Sequence, residues 1–170
     1  MPQTENKLKW CLNKAKKELA ETTKHRGLVQ LAPNIELAYQ HITKAEHNLK
    51  AMDYFSKGGF SDWSISAGFY SIYHCFLALL AKNGYESRNQ ECTIAAIEHL
   101  IEQKKITLEQ KFIDALKQYN ETKHAETTVI ELREQLQYGI SLTSETTQLK
   151  KLKQLCKEAI YNTKELLAQR

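Results

Sequence analysis

Residues 61–84, SDWSISAGFYSIYHCFLALLAKNG, constrain this chain more than any other stretch. From residue 68 to residue 81 the sequence is apolar or aromatic in nearly every helical direction, whereas a surface helix shows an apolar stripe of roughly 100°. Such a helix is central and requires other helices around it. Trp63, Phe69, Tyr70, Ile72, Tyr73, Phe76, Leu77, Leu79 and Leu80 place large side chains on several faces. Each one fully buried contributes about 1.5–3 kcal/mol. A membrane span needs about 20 consecutive apolar residues, and His74 interrupts a run that is already shorter.

The rest of the chain supplies the helices to surround it. Only two Pro and six Gly occur in 170 residues, and Leu, Ala, Lys, Glu and Gln are abundant, a composition of strong helix formers with few breakers. The expected fold is all-α, an up-and-down bundle of four or five core helices with an added N-terminal helix. It forms one domain over residues 1–170, in which residues 1–33 are a basic helix and its connection. Helix 7–24 places Leu8, Cys11, Leu12, Ala15 and Leu19 on one side, with Gly27 as its C-terminal cap. Asn34 is the expected N-cap of a long amphipathic helix over 35–57. Gly58-Gly59 then breaks the chain, and Ser61-Asp62 caps the central helix, so the two make an antiparallel hairpin. A polar loop at 85–89 leads to a helix over 91–105. Thr107-Leu108-Glu109-Gln110 and Thr128-Val129-Ile130-Glu131 match capping boxes, opening helices that end near Asn120 and before Gly139. A last long helix carries Leu149, Leu152, Leu155, Cys156, Ala159, Ile160, Leu166 and Leu167.

Charge and cysteine content bound the function. The net charge of +4 is mild, but residues 1–26 hold seven Lys/Arg against three Asp/Glu and residues 141–170 hold six against three. Basic terminal helices can attract phosphate, although a solvated helix surface accounts for the same counts more simply. Cys11, Cys75, Cys92 and Cys156 are scattered with no Cys-x-x-Cys pair, so ordinary reduced, buried thiols are expected. The N-terminus has no apolar stretch after its charges, so a cytoplasmic protein is expected.

Three pieces in order give the chain a recognisable character: HITKAEHNLKAMDYFSKGG, FYSIYHCFLALLAKNGYESRNQ and ELREQLQYG, across residues 38–140. In these the chain resembles the HEPN-domain proteins, the helical family named for higher eukaryotes and prokaryotes nucleotide-binding. The resemblance implies a helical bundle, a homodimer and a role in RNA cleavage without metal, often as a toxin paired with a small nucleotidyltransferase or in a defence system. It also implies an active-site pattern of Arg, four to six residues, then His, assembled at the dimer interface. Arg133 matches that Arg, but residues 134–140 contain no His and Tyr138 stands in its place. A His of ordinary pKa near 6.5 exchanges protons at neutral pH, whereas a phenol near 10 is ionised only about one part in a thousand. Binding therefore survives this substitution better than catalysis does.

Four further residues are candidates for ligand contacts. Arg88 and Asn89, in the loop after the central helix, can line the same cleft as Arg133. His74 interrupts the central helix, where a hydrogen-bonded core role competes with a functional one. His124 can stand in for the missing catalytic His. Glu121 and His124 have the Glu-x-x-His spacing of di-iron bundles, but that site needs a second pair and two further carboxylates, so no metal is expected, nor any cofactor. The expected activity is binding of RNA, a nucleotide or a nucleotidyltransferase partner, with a degraded ribonuclease motif at Arg133 and Tyr138. An active metal-independent ribonuclease toxin and a purely structural partner protein are the alternatives.

Overall fold

The computed structural model describes residues 2–117, 129–140 and 146–169. Helix α1 spans Pro2–Glu21, strand β1 Leu28–Gln30, α2 Ile35–Lys57, α3 Ser61–Lys82, β2 Tyr85–Ser87, α4 Gln90–Glu102, α5 Gln110–Leu116, α6 Val129–Tyr138 and α7 Thr146–Ala168. The fold is helical, as the composition requires, with one small sheet.

The central hairpin forms where the sequence places it. Asn34 Oδ1 accepts from Leu37 N–H at 2.9 Å and caps α2, which ends at Gly58-Gly59, where Gly59 takes a φ of 82° that suits glycine. Helix α3 then runs back along α2 and is also covered by α7, α6 and α4. Ile65, Phe69, Ile72, Cys75, Phe76, Leu79 and Leu80 are all buried on it. Two serine hydroxyls inside the apolar hairpin find acceptors on the facing helix: Ser64 Oγ donates to Met52 O and Ser71 Oγ to Ala45 O, both at 2.9 Å. Gly68 lets α7 approach, because a Cβ there would stand 2.7 Å from Leu152 Cδ2 and 3.1 Å from Met52 Sδ. The ion pairs Lys153–Asp53 and Lys164–Glu46 fasten α7 to α2 at its margin, while Lys82 Nζ donates to the carbonyls of Leu166 and Gln169 at the C-terminal end of α7.

Several local expectations are corrected. Phe60, without a side-chain cap, precedes α3 in place of Ser61-Asp62. Likewise α5 starts behind Glu109 with no side-chain cap, so the Thr107 capping box does not form; the match at Thr128 falls outside the described residues. Helix α1 stops at Glu21, where the Thr22 hydroxyl donates to Glu18 O. Gly27 is therefore no helix cap: it lies against α1, where a Cβ would meet Cys11 O at 2.6 Å and Ala15 N at 2.8 Å. Trp63 and Tyr70, read as core aromatics, are 50% and 43% exposed.

The residues on either side of the hairpin pair as a short antiparallel sheet, which the helix-rich composition did not announce. Leu28 faces Ser87, Val29 faces Glu86 and Gln30 faces Tyr85. Pairing at both ends of the hairpin ties the chain before α2 to the chain after α3.

A second correction concerns the thiols. Cys11 of α1 and Cys92 of α4 form a disulfide with Cα atoms 5.7 Å apart, closing a sequence separation of 81 residues. By loop-closure entropy a cross-link of that span stabilises by about 4–5 kcal/mol. Cys75 and Cys156 are buried free thiols, and burial pushes each up to about 12. Low spacing regularity hid the pair, because a helix packed on a distant helix makes neighbours that no local pattern contains.

One helix, Ser61–Lys82, is long and apolar enough to cross a membrane, and 67% of its most apolar window is buried in the fold. Its hydropathy is that of a core helix.

The packing makes a stability contrast measurable. Phe76, 1% exposed at the centre of α3, should cost about 3–5 kcal/mol when changed to Ala, whereas Lys150→Ala on the exposed side of α7 should stay within about 0.5 kcal/mol. Urea unfolding of the two variants checks this, and equal losses would contradict α3 as the central helix.

Candidate functional site

Helix α6 packs on α3 and α5, burying Ile130 and Leu136. Arg133 lies between these two apolar positions in sequence, so its side chain is drawn across the surface of α3. Its guanidinium carbon stands 4.4 Å from the ring centre of Phe69 and 5.9 Å from that of Tyr70. The two rings meet edge to face, with centroids 5.1 Å apart. A planar guanidinium suits such a stack and keeps its charge at any accessible pH. Arg133 Nε is buried with no hydrogen-bond partner among the described residues. The aromatic contacts thus border the group while leaving unmet donor capacity at Nε on a residue that is only partly covered.

Tyr138 is not brought to it. Five residues further along α6, it turns well away from Arg133 and is 87% exposed at the end of the helix, with Ile140 fully exposed beyond. His124 lies outside the described residues.

His74 is one helical turn after Tyr70 on α3, and it has a partner that sequence reasoning missed. His41 of α2 places its Nδ1 3.0 Å from His74 Nδ1, with ring centroids 5.2 Å apart. Such a contact needs one Nδ1–H to donate and the other Nδ1 to accept, so the accepting ring is neutral. Burial lowers the pKa of both, and His74 falls to about 4 through burial first, then His41 and Lys44. The hairpin register contained the signal: measured from Gly59, His41 is 18 residues before and His74 15 after, within one turn of each other.

Beyond His41 the hairpin ends at a cavity of about 230 Å³. Leu37, Leu77 and Ala81 make its apolar wall, and His41, Glu86 and Arg88 line its polar side. Glu86 Oε1 accepts from Arg88 Nε and contacts His25 Nε2, each at 3.0 Å. The structure therefore brings Arg88 near the His41–His74 pair through β2, with its charge already shared with Glu86. Asn89 has a different task, since its Oδ1 accepts from Cys92 N–H at 3.0 Å and caps α4. Its contribution to any ligand contact would have to come from outside that side-chain oxygen. Among the described residues no three His, Cys, Asp or Glu side chains gather where a metal ion could be held.

The arrangement is a helical bundle in which an arginine packs on aromatic rings one helical turn from an imidazole pair. The HEPN domain model matches residues 38–168, and the chain belongs to the HEPN family. No curated protein matches it significantly.

The imidazole pair has a consequence for stability. Ordinary histidines in the unfolded chain protonate near pH 6.5, whereas folded His74 resists protonation down to about 4. The unfolded chain binds more protons over that window, so stability is complete above about pH 6.5 and declines as pH falls toward 4. Because His74 is only partly buried, the loss is a screened fraction of the full linkage. The urea midpoint should drop between about pH 7.5 and about pH 5 more in the wild type than in His74→Phe; parallel drops would show that His74 gains no proton on unfolding.

Proposed function

We infer that this HEPN protein binds RNA or a nucleotide through phosphate contacts at Arg133, with ribonuclease activity weak or absent. The aromatic-bordered, incompletely hydrogen-bonded guanidinium carries the reading: Arg133 Cζ stands 4.4 Å from the Phe69 ring centre, and its Nε has no hydrogen-bond partner among the described residues. A guanidinium pre-oriented in this way loses little freedom on binding, and it can meet two phosphate oxygens at once. Membership of the HEPN family supports a nucleotide- or RNA-directed role. The reading of weak cleavage rests on the absence of His from residues 134–140 and on the solvent position of Tyr138, which is turned away from Arg133 at the end of α6.

The second reading, an active metal-independent endoribonuclease, is favoured by one observation. His74 is one turn from Tyr70 on α3, the helix that Arg133 packs against, and it meets His41 of α2. A pKa near 4 makes His74 a weak base at neutral pH, so the binding reading is preferred. In the toxin–antitoxin or defence setting implied by the family, a small nucleotidyltransferase is the proposed protein partner.

The assay is binding and cleavage of a mixed RNA pool with chelator present. Arg133→Ala should weaken binding at least tenfold and Arg133→Lys by less, because a point charge keeps attraction but not two-pronged geometry. Wild type should leave the RNA intact. Robust wild-type cleavage lost in Arg133→Ala would install the ribonuclease reading, and His74→Phe would then show whether the imidazole pair serves it.

A homodimer is part of the proposal. Trp63 and Tyr70 interrupt the otherwise covered surface of α3, and half-exposed aromatics are the residues that interfaces favour. Light scattering across a concentration series should give twice the mass of one chain at tens of micromolar. A monomer at every concentration would remove the dimer from the proposal.

A further inference from the structure

Trp10 lies on the outward side of α1 and is 49% exposed, while Leu8, Cys11 and Ala15 of the same helix are buried. Two ammonium groups flank its indole, Lys7 Nζ at 4.8 Å and Lys14 Nζ at 5.3 Å from the ring centre. At helical spacing Asn6, Asn13 and Lys17 share that side, and the strip meets no carboxylate until Glu21. The acids around it are engaged: Glu91 pairs with Lys7, Glu5 with Lys9, and Glu18 accepts from Arg26 N–H. A merely solvated face accounts for the lysines but not for a large exposed ring set between two of them.

The strip is also held still. The Cys11–Cys92 disulfide, the Lys7–Glu91 ion pair and the hydrogen bond from Thr4 Oγ1 to Glu102 fasten α1 to α4, and β1 packs beside it. A rigid aromatic bordered by mobile cations is the combination that single-stranded nucleic acids recognise, because bases stack on the ring while the backbone phosphates meet the charges. A cation–π contact at an exposed site is weaker than base stacking, so an ammonium can leave the indole for a phosphate as a base arrives. Duplexes hide their base faces and offer the ring nothing to stack on.

We propose that the Trp10 face of α1 is a binding platform for single-stranded nucleic acid, with a base stacked on Trp10 and phosphates on Lys14 and Lys17. The platform rests on the reading of nucleic acid as the ligand of this domain. It uses a different residue set, since α1 precedes the HEPN match at residues 38–168 and packs against α4 and β1, whereas Arg133 sits on α6 against α3.

The chain has two tryptophans, so Trp63→Phe leaves Trp10 as the sole reporter. Oligo(U), oligo(dT) and a blunt duplex are titrated in low salt while Trp10 emission is read. The expected result is saturable quenching by the single strands and little by the duplex; a stronger response to oligo(U) or to oligo(dT) identifies the sugar preferred. Trp10→Ala should weaken single-strand binding by about tenfold, with unchanged helical content because the ring is exposed. Lys14→Gln with Lys17→Gln should flatten the salt dependence by about 0.7 per lysine in the log–log slope. Unquenched Trp10 at saturating oligonucleotide, Trp10→Ala binding within about twofold of wild type, or equal binding of duplex and single strand would overturn the platform. Loss in Arg133→Ala alone would leave the Arg133 reading standing without the platform, and loss in Trp10→Ala alone would do the reverse. If no oligonucleotide binds, both fail.

Discussion

The packing of α3 against α2 is the contact on which the remainder of the molecule depends. Helix α3 is apolar on nearly every side, so it cannot be satisfied by a single neighbour; α2 covers one side, α7 another, and α6 and α4 close most of what is left. Two details make the fit specific. The hydroxyls of Ser64 and Ser71 would be costly in this apolar hairpin without acceptors, and they find them in Met52 O and Ala45 O on α2. Gly68 removes a side chain where Leu152 must enter, which sets the depth of α7. A methyl group there would push α7 outward and open the core on both sides of it.

The covering is incomplete along one side of α3, and the candidate chemistry gathers there. Trp63 and Tyr70 remain half exposed, Arg133 rests on Phe69 and Tyr70, and His74 meets His41 one turn further on. Each of these polar groups is partly removed from water, with opposite results. Stacking holds an arginine whose charge survives burial. Burial instead keeps the two imidazoles neutral, which suits a hydrogen-bonded pair and disfavours proton uptake. The arginine thus borders aromatic rings, while the nearby imidazole pair takes up protons less readily than free histidine does.

The N-terminal segment is attached by different means from the bundle. Helix α1 buries Leu8, Cys11 and Ala15, yet its bond to the remainder relies on a disulfide, a two-strand pairing and the bare backbone of Gly27, which allows the chain to pass within contact of α1. These are contacts between segments far apart in sequence. They leave the lysine-bearing side of α1 facing water, where Trp10 is the one large aromatic.

Much of the fold was legible because helical periodicity and end chemistry are local. Asn34, Gly58-Gly59 and the apolar run of α3 defined the hairpin within a residue or so, and the family resemblance at Arg133 located the arginine that the bundle does stack on aromatics. Capping boxes were less reliable guides: the Thr107 match has the right spacing, but the chain there enters α5 from an extended Glu109 without using it. The burial of Trp63 and Tyr70 was overestimated because hydrophobicity states that a side chain gains from cover, not that a neighbour is present to provide it. By itself, the sequence determined the helices and their central member. Tertiary structure alone decided that Cys11 joins Cys92, that His41 meets His74 and that Trp10 faces water, because each depends on which distant segments become neighbours, and that is set by packing across the whole core.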